Sequence, residues 1–246
     1  MLLGNADVEK LAEKAPEVAE FSAQPLVLED VTCVQLTAEL PDTAREALLP
    51  PALHPTIPAA MSLQVFDVRR SPWDAFRFAL VRVSCRSGVR ARGFSIGAIA
   101  DSPAAVDGLR RQLGFPVATG DVSLRHGYDG IDIAVARGDR CLAALKAINP
   151  EPLGGNDVQF TGTLNLARTS LGLRLLQVES SCEPSRVERL APGPLTFDGD
   201  GWGQSLLQPT LVIACAVVVA PQWTFPPLRF VCKVDELAFT GTQSVS

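Results

Sequence analysis

The residues best suited to move protons are concentrated in a four-residue segment. His126, Tyr128 and Asp129 place an imidazole, the only tyrosine of the chain and a carboxylate close together. Side chains of these types act as general acids and bases when they face a substrate cavity. A hydrogen-bonded turn at the start of a strand is the competing interpretation, since Asp and Gly are favoured in turns. The segment is a candidate catalytic site if it faces inward.

Arginines around one expected hairpin form a second group of candidates. Arg77 precedes the hairpin, and Arg82, Arg86, Arg90 and Arg92 flank its turn. A guanidinium binds a carboxylate through two parallel N–H donors. Charged side chains are mostly exposed, however. The favoured interpretation of the four arginines that flank the turn is therefore a hairpin whose charges point outward into solvent. Arg77 stays a candidate for handling protons.

Metal and cofactor chemistry has no motif in the sequence. The only two histidines exclude a three-histidine site, and the six cysteines lack zinc-type spacing. Neither a glycine fingerprint for a dinucleotide nor a GxxxxGK phosphate loop is present. Asp198 and Asp200 alternate with glycine, but no glutamate follows at calcium-loop spacing, so a plain turn is expected. We therefore expect neither a metal nor a cofactor.

The composition is typical of a globular protein that handles small molecules. The chain has 246 residues, of which 47% are hydrophobic, and a net charge of -5 without runs of like charge. Nucleic acid is not an expected partner, because phosphate binding needs clustered Lys and Arg. No signal peptide is expected, and the longest apolar run, 211–220, is too short for a membrane-spanning helix. The widely spaced cysteines are expected to be buried and reduced, which indicates a cytoplasmic protein.

Strand-like segments separated by turn residues dominate the sequence, and three expected helices interrupt them. These helices lie at 7–14, at 42–49, and from the Ser102 cap to Gly114. The pattern predicts an α+β protein that is predominantly β, a barrel or sandwich with peripheral helices. We expect a single domain over 1–246, with a helix and an irregular arm over 1–25 and a frayed tail over 240–246.

Several segments resemble the acetoacetate decarboxylase superfamily in their order and spacing. They are Leu49-Pro50-Pro51, Ser71-Pro72-Trp73, the hairpin 85–90, the turn Gly114-Phe115-Pro116 and Tyr128-Asp129. The resemblance spans roughly 26–234. It implies an antiparallel, cone-like β-barrel with peripheral helices, assembled as a homodimer or a larger homo-oligomer. It also implies a reaction in which a neutral lysine forms a Schiff base with a keto acid, acetoacetate decarboxylase being the usual example.

The catalytic residues that this resemblance implies are absent. The lysine position falls on Val117, the glutamate position on or near Phe78, and the arginine position near Val31. Valine cannot form an imine. Lys146 and Lys233, the only lysines after the first expected helix, belong to other expected strands. The sequence therefore predicts that Schiff-base chemistry has been lost.

The expected function is a reaction on a small keto or polyketide-like metabolite without a Schiff base. A lyase, dehydratase, isomerase or cyclase needs positioning and one acid or base. The ligand is expected in an apolar barrel cavity. Val117 and Phe78, at the lysine and glutamate positions, are expected to widen this cavity. The expected catalytic residues are His126, Tyr128, Asp129 and Arg77. The expected substrate-binding residues are Phe78, Phe115, Pro116, Val117, Gln159 and Glu179.

Two alternatives stay open. In the first, the barrel holds a small hydrophobic ligand without catalysis, which the loss of every polar catalytic group favours. In the second, the chain is a decarboxylase with relocated catalytic residues, for which Lys146 is the candidate.

Overall fold

Most of the chain belongs to one large, mainly antiparallel sheet. The computed structural model describes residues 2–155, 157–158, 160–235 and 242–245. The helices are α1 (Val8–Glu13) and α2 (Pro103–Leu113). The strands are β1 (Glu17–Val18), β2 (Leu26–Glu39), β3 (His54–Pro55), β4 (Ala60–Arg70), β5 (Phe76–Ser87), β6 (Arg90–Ala100), β7 (Val117–Thr119), β8 (Asp121–His126), β9 (Gly130–Arg137), β10 (Arg140–Pro152), β11 (Thr163–Thr169), β12 (Gly172–Val178), β13 (Ser181–Cys182), β14 (Arg186–Pro192), β15 (Thr196–Phe197), β16 (Val212–Phe225), β17 (Phe230–Cys232) and β18 (Gln243–Ser244).

The sheet curls into a barrel-like shape. Its hydrogen-bonded neighbours run in the order β8, β9, β10, β14, β16, β2, β4, β5, β6, β11, β12 and β17. Each pair in this series is antiparallel except β6 with β11. Strand β8, at one end of the series, also approaches β4, β5 and β6. The predicted class, a predominantly β protein with a cone-like barrel and peripheral helices, is confirmed.

Both faces of the sheet are buried in the middle of β5. In β5, Phe78 and Leu80 belong to one core cluster, whereas Val81 and Val83 belong to the other. Successive side chains of a strand point to opposite faces, so each face of β5 meets its own apolar layer. The polar residues on such a strand are consequently enclosed as well.

Helix α2 begins and ends where the sequence predicts. The Ser102 hydroxyl oxygen accepts a hydrogen bond from Ala105 N at 3.4 Å, and Pro103 occupies the first turn. Gly114 has φ of 67°, a conformation that glycine adopts without steric cost. A Cβ at this position would lie 2.6 Å from Leu176 Cδ1. The helix end is therefore fixed, and with it the turn at Phe115.

We expect Gly108→Ala to destabilise the protein although it lies inside a helix. Helix propensity alone predicts a gain of about 1 kcal/mol. A Cβ at Gly108 would lie 2.1 Å from Trp73 Cε2, so the indole has to leave the helix surface. The free energy of unfolding in urea should fall by about 1–3 kcal/mol. In a Trp73→Ala background the same change should be stabilising; a loss in both backgrounds would contradict the steric explanation.

Three segments differ in detail from the expected elements. Residues 42–49 form successive turns rather than a helix, because Leu48 and Leu49 are buried in the core and Pro50 follows. The expected irregular arm contains β1, which pairs in parallel with β11. In the expected frayed tail, β18 is hydrogen-bonded to β17, while residues 240, 241 and 246 lie outside the described residues.

Candidate functional site

A small cavity lies where β4, β5 and β11 meet the turn that follows α2. Its volume is about 10 Å³, enough for one water molecule. Six of the lining side chains are apolar and five are polar. The lining residues are Gln64, Phe66, Phe78, Leu80, Arg82, Phe115, Phe160, Thr161, Thr163, Ser180 and Phe225. We call this space the barrel cavity.

Aromatic rings occupy most of the space around the barrel cavity. The Phe78 ring centroid lies 5.8 Å from that of Phe66 and 5.5 Å from that of Phe115, and Phe115 lies 6.4 Å from Phe225. These are ordinary separations for packed aromatic pairs. The expected widening of the cavity is therefore wrong: Phe78 fills it, and Val117 is buried in the same cluster without lining it.

Arg82 is the one charged side chain in this lining. It is 3% exposed, and its guanidinium is held by three neighbouring oxygens. Nη1 donates to the Thr161 carbonyl oxygen at 2.9 Å and to Thr163 Oγ1 at 3.0 Å. Nε donates to Ser62 Oγ at 3.2 Å. These contacts fix the direction of the guanidinium and leave Nη2 without a bond of this kind among the described residues.

The charge of Arg82 has no counter-ion in the described part of the chain. No carboxylate there lies within 4.0 Å of its guanidinium. Burial lowers the pKa of Arg82 to about 10, and Cys33 and Cys85 are the thiols near it. Burial in turn raises the pKa of both thiols, that of Cys85 to about 12, so neither supplies a negative charge at neutral pH. A buried cation without a partner is costly, and an anion in the barrel cavity would compensate it.

Gly93 makes room for the Arg82 side chain. A Cβ at Gly93 would lie 3.0 Å from Arg82 Cδ and 3.1 Å from its Cβ. Gly93 N also donates to the Gly162 carbonyl oxygen at 3.0 Å, which ties β6 to the segment before β11. The position of the guanidinium thus depends on a close approach of two strands.

The remaining arginines have other environments. Arg92 is buried but pairs with Glu179 through two hydrogen bonds of 2.5 and 3.4 Å. Arg86 and Arg90 are exposed, as expected for a hairpin. Arg77 lies 3.4 Å from a carboxylate oxygen of Asp67 and 3.6 Å from one of Asp101, and it does not line the barrel cavity.

The proposed proton-transfer segment faces away from the barrel cavity. Tyr128 is 96% exposed and Asp129 is exposed. His126 Nε2 lies 3.2 Å from Glu188 Oε2, and the other oxygen of Glu188 accepts from Arg186 Nη2 at 2.6 Å. The catalytic assignment of His126, Tyr128 and Asp129 has no support in this geometry. The segment forms the connection between two strands, and none of the three side chains lines the barrel cavity.

The other predicted ligand-binding residues lie in different places. Phe78 and Phe115 line the barrel cavity, whereas Pro116 lines a different and larger one. Glu179 is occupied by Arg92. Gln159 lies outside the described residues.

Sequence reasoning underrated Arg82. The only signal was weak: Arg82 follows Phe78 and Leu80 at two-residue spacing, which places it on their face of the strand but does not show which face of the strand lines a cavity. The general preference of arginine for solvent outweighed that signal. Over the described residues, no group of three or more His, Cys, Asp or Glu is suited to hold a metal ion. No helix in the same ranges is long and apolar enough to cross a membrane.

Solved structures with the same fold are acetoacetate decarboxylases and enzymes like them. An acetoacetate decarboxylase from Legionella pneumophila superposes with a TM-score of 0.72 at 15% identity, over 86% of this chain and 88% of that chain. The enduracididine biosynthesis enzyme MppR, in complex with pyruvate, gives 0.66 at 17% identity, over 92% and 91%. An acetoacetate decarboxylase-like enzyme from Sphingomonas wittichii RW1 gives 0.65 at 13% identity, over 85% and 93%.

The chain therefore has the acetoacetate decarboxylase-like fold, and the resemblance read from its sequence is confirmed. At these identities the similarity establishes the fold alone. Comparison of the sequence with family profiles and with curated proteins gives no match.

Proposed function

We propose that this chain binds a small oxo acid in the barrel cavity, with the carboxylate on Arg82, and acts on it without forming an imine. One observation carries the proposal: Arg82 is enclosed, faces the cavity and meets no carboxylate among the described residues. The complex of MppR with pyruvate supports the ligand class, since that protein shares the fold.

Arg82 is suited to reactions in which negative charge develops on a small acid. Fixed donors in a water-poor site stabilise such charge more strongly than water does. The hydroxyls of Thr163 and Ser180 are further donors in the same lining. A lyase- or isomerase-type step of this kind requires no lysine at residue 117. The proposal includes a cytoplasmic location, which the expected reduced cysteines indicate, and a homodimeric or larger assembly, which the resemblance implies.

A second candidate is a protein that holds the acid without converting it. Among the described residues, the lining of the barrel cavity contains no carboxylate, imidazole, amine or phenol that could act as a general base. This observation favours storage or sensing of the acid over catalysis.

Three measurements on the unmodified chain test whether it binds an oxo acid and distinguish catalysis from binding alone. Pyruvate and 2-oxobutanoate should bind saturably by calorimetry, and borohydride should yield no adduct in the intact mass. In deuterated buffer, loss of the proton signal next to the carbonyl at an enzyme-dependent rate would indicate catalysis. Binding without exchange would favour the second candidate. No saturable binding of either acid, or a stable borohydride adduct, would overturn the proposal.

A further inference from the structure

A larger cavity lies on the other buried face of the sheet, between α1 and β6. Its volume is about 390 Å³, within the range of pockets that bind small molecules. Its floor includes Phe94 and Leu166, which belong to the core cluster opposite the barrel cavity. We call it the α1 cavity. No residue proposed above to contact the oxo acid lines it.

The α1 cavity has an apolar interior and a charged rim. The interior consists of the side chains of Leu11, Phe94, Ile96, Pro116 and Leu166. The rim carries four charged residues of α1 and its flanks. They are Asp7, Lys10, Glu13 and Lys14. A molecule that fits both parts has an apolar chain and a charged or polar head.

Helix α1 covers this space without filling it. None of its six residues is fully buried, although Leu11 packs against the core. Two contacts hold its end: Arg168 Nη2 donates to the Ala12 carbonyl oxygen at 2.9 Å, and Lys14 Nζ donates to the Gly203 carbonyl oxygen at 3.4 Å. The space is partly open to solvent along the helix, so a guest molecule can enter it without displacing core side chains.

The rim offers one ammonium group to an anionic head, and its other charge without an ion pair among the described residues is the exposed Glu13 carboxylate. Lys10 lies 3.7 Å from Asp7, and both side chains are largely exposed, so this pair is weak. Lys14 has no carboxylate within 4.0 Å in the described ranges, and its one hydrogen bond to a backbone carbonyl is long. The Lys14 ammonium is therefore available to a carboxylate at the mouth of the cavity.

We propose that the α1 cavity is a second ligand site, for a carboxylate with a medium-length acyl chain. The chain lies on Phe94, Ile96 and Leu166, and the head meets Lys14. Burial of each methylene contributes about 0.8 kcal/mol, so affinity rises with chain length until the cavity is full. This site is independent of the oxo acid proposed for the barrel cavity.

Binding of decanoate, measured by calorimetry below its micelle concentration, tests the proposal. Decanoate should bind saturably at one site per chain, and decanol at least 3-fold more weakly because it lacks the charge. Ala47→Phe, which projects a ring from the cavity wall, should weaken decanoate at least 10-fold. Lys14→Gln should weaken decanoate about 3-fold and leave decanol unchanged. Thermal unfolding of both variants without ligand shows that the fold is retained.

Arg82→Met serves as the matched control, because Arg82 lines only the barrel cavity. It should bind decanoate as the unmodified chain does. No saturable binding of decanoate, or equal binding by folded Ala47→Phe, would overturn the proposal. Loss of decanoate binding in Arg82→Met would also overturn it, since the fatty acid would then occupy the barrel cavity.

Discussion

Arg82→Met should lower the affinity for pyruvate and 2-oxobutanoate by about 30-fold or more. Truncation of one partner in a buried, hydrogen-bonded charge pair costs about 2–5 kcal/mol, which corresponds to this range. Methionine fills a similar volume but donates no hydrogen bond to a carboxylate. Calorimetric titration measures the affinity.

The free energy of unfolding should change far less than the affinity. Lowering the pKa of Arg82 from 12.5 to about 10 corresponds to a cost of about 3 kcal/mol for holding the charge in the fold. Methionine removes this cost but leaves the Thr161 carbonyl oxygen without its donor, which offsets part of the gain. At pH 7–9 Arg82 is protonated in both the folded and the unfolded chain, so its cost to the free energy of unfolding is constant there. It is lost only above about pH 10, where the folded state releases the proton first.

Ligand-dependent stability gives an independent readout of the same change. At a ligand concentration of 100 times the Kd of the unmodified chain, that chain should gain about 2.7 kcal/mol, and Arg82→Met should gain less than about 1 kcal/mol. Arg92→Met is the matched control, because Arg92 is also buried on this hairpin but is paired with Glu179. Arg92→Met should keep the affinity for the oxo acids. Equal losses in the two variants, or full affinity in Arg82→Met, would contradict the role of Arg82.

Val117→Lys should destabilise the fold by about 3–5 kcal/mol and should not restore Schiff-base chemistry. Val117 is 2% exposed in an apolar cluster with Phe78 and Phe115, and an ammonium there has no counter-ion. The side chain does not line the barrel cavity, so a lysine amine would meet apolar side chains rather than a ligand. Urea unfolding measures the stability, and borohydride treatment with pyruvate tests for the adduct.

Val117→Met separates the effect of charge from the effect of size. It should cost less than Val117→Lys by at least about 2 kcal/mol, because only the lysine brings a charge into the cluster. A Val117→Lys variant as stable as Val117→Met that gains a pyruvate adduct would show that residue 117 reaches the ligand.

The sequence predicts those parts of the fold that depend on local signals. The Ser102 cap, Pro103 and Gly114 define α2 because capping and left-handed glycine are properties of a few adjacent residues. The segment 42–49 has helical composition, but burial of Leu48 and Leu49 decides its path, and burial is set by distant parts of the chain.

The candidate site was harder to predict for a related reason. Alternation along a strand separates inside from outside only when one face meets water. Both faces of β5 are covered, so alternation could not reveal which side Arg82 joins. Likewise, the sequence predicts that Phe78 and Phe115 line a cavity, yet only packing reveals that their rings fill it.

The ring-filled barrel cavity also sets how fast a ligand can arrive. A space that holds one water does not admit an oxo acid until the Phe78, Phe115 or Phe160 ring turns aside. Association is then limited by the opening of the rings, and its rate levels off as ligand concentration rises. The same rings close behind a bound acid, so the complex should be long-lived for its affinity. If an acid binds here, slow exchange is therefore the expected consequence of the phenylalanines themselves, whatever the acid.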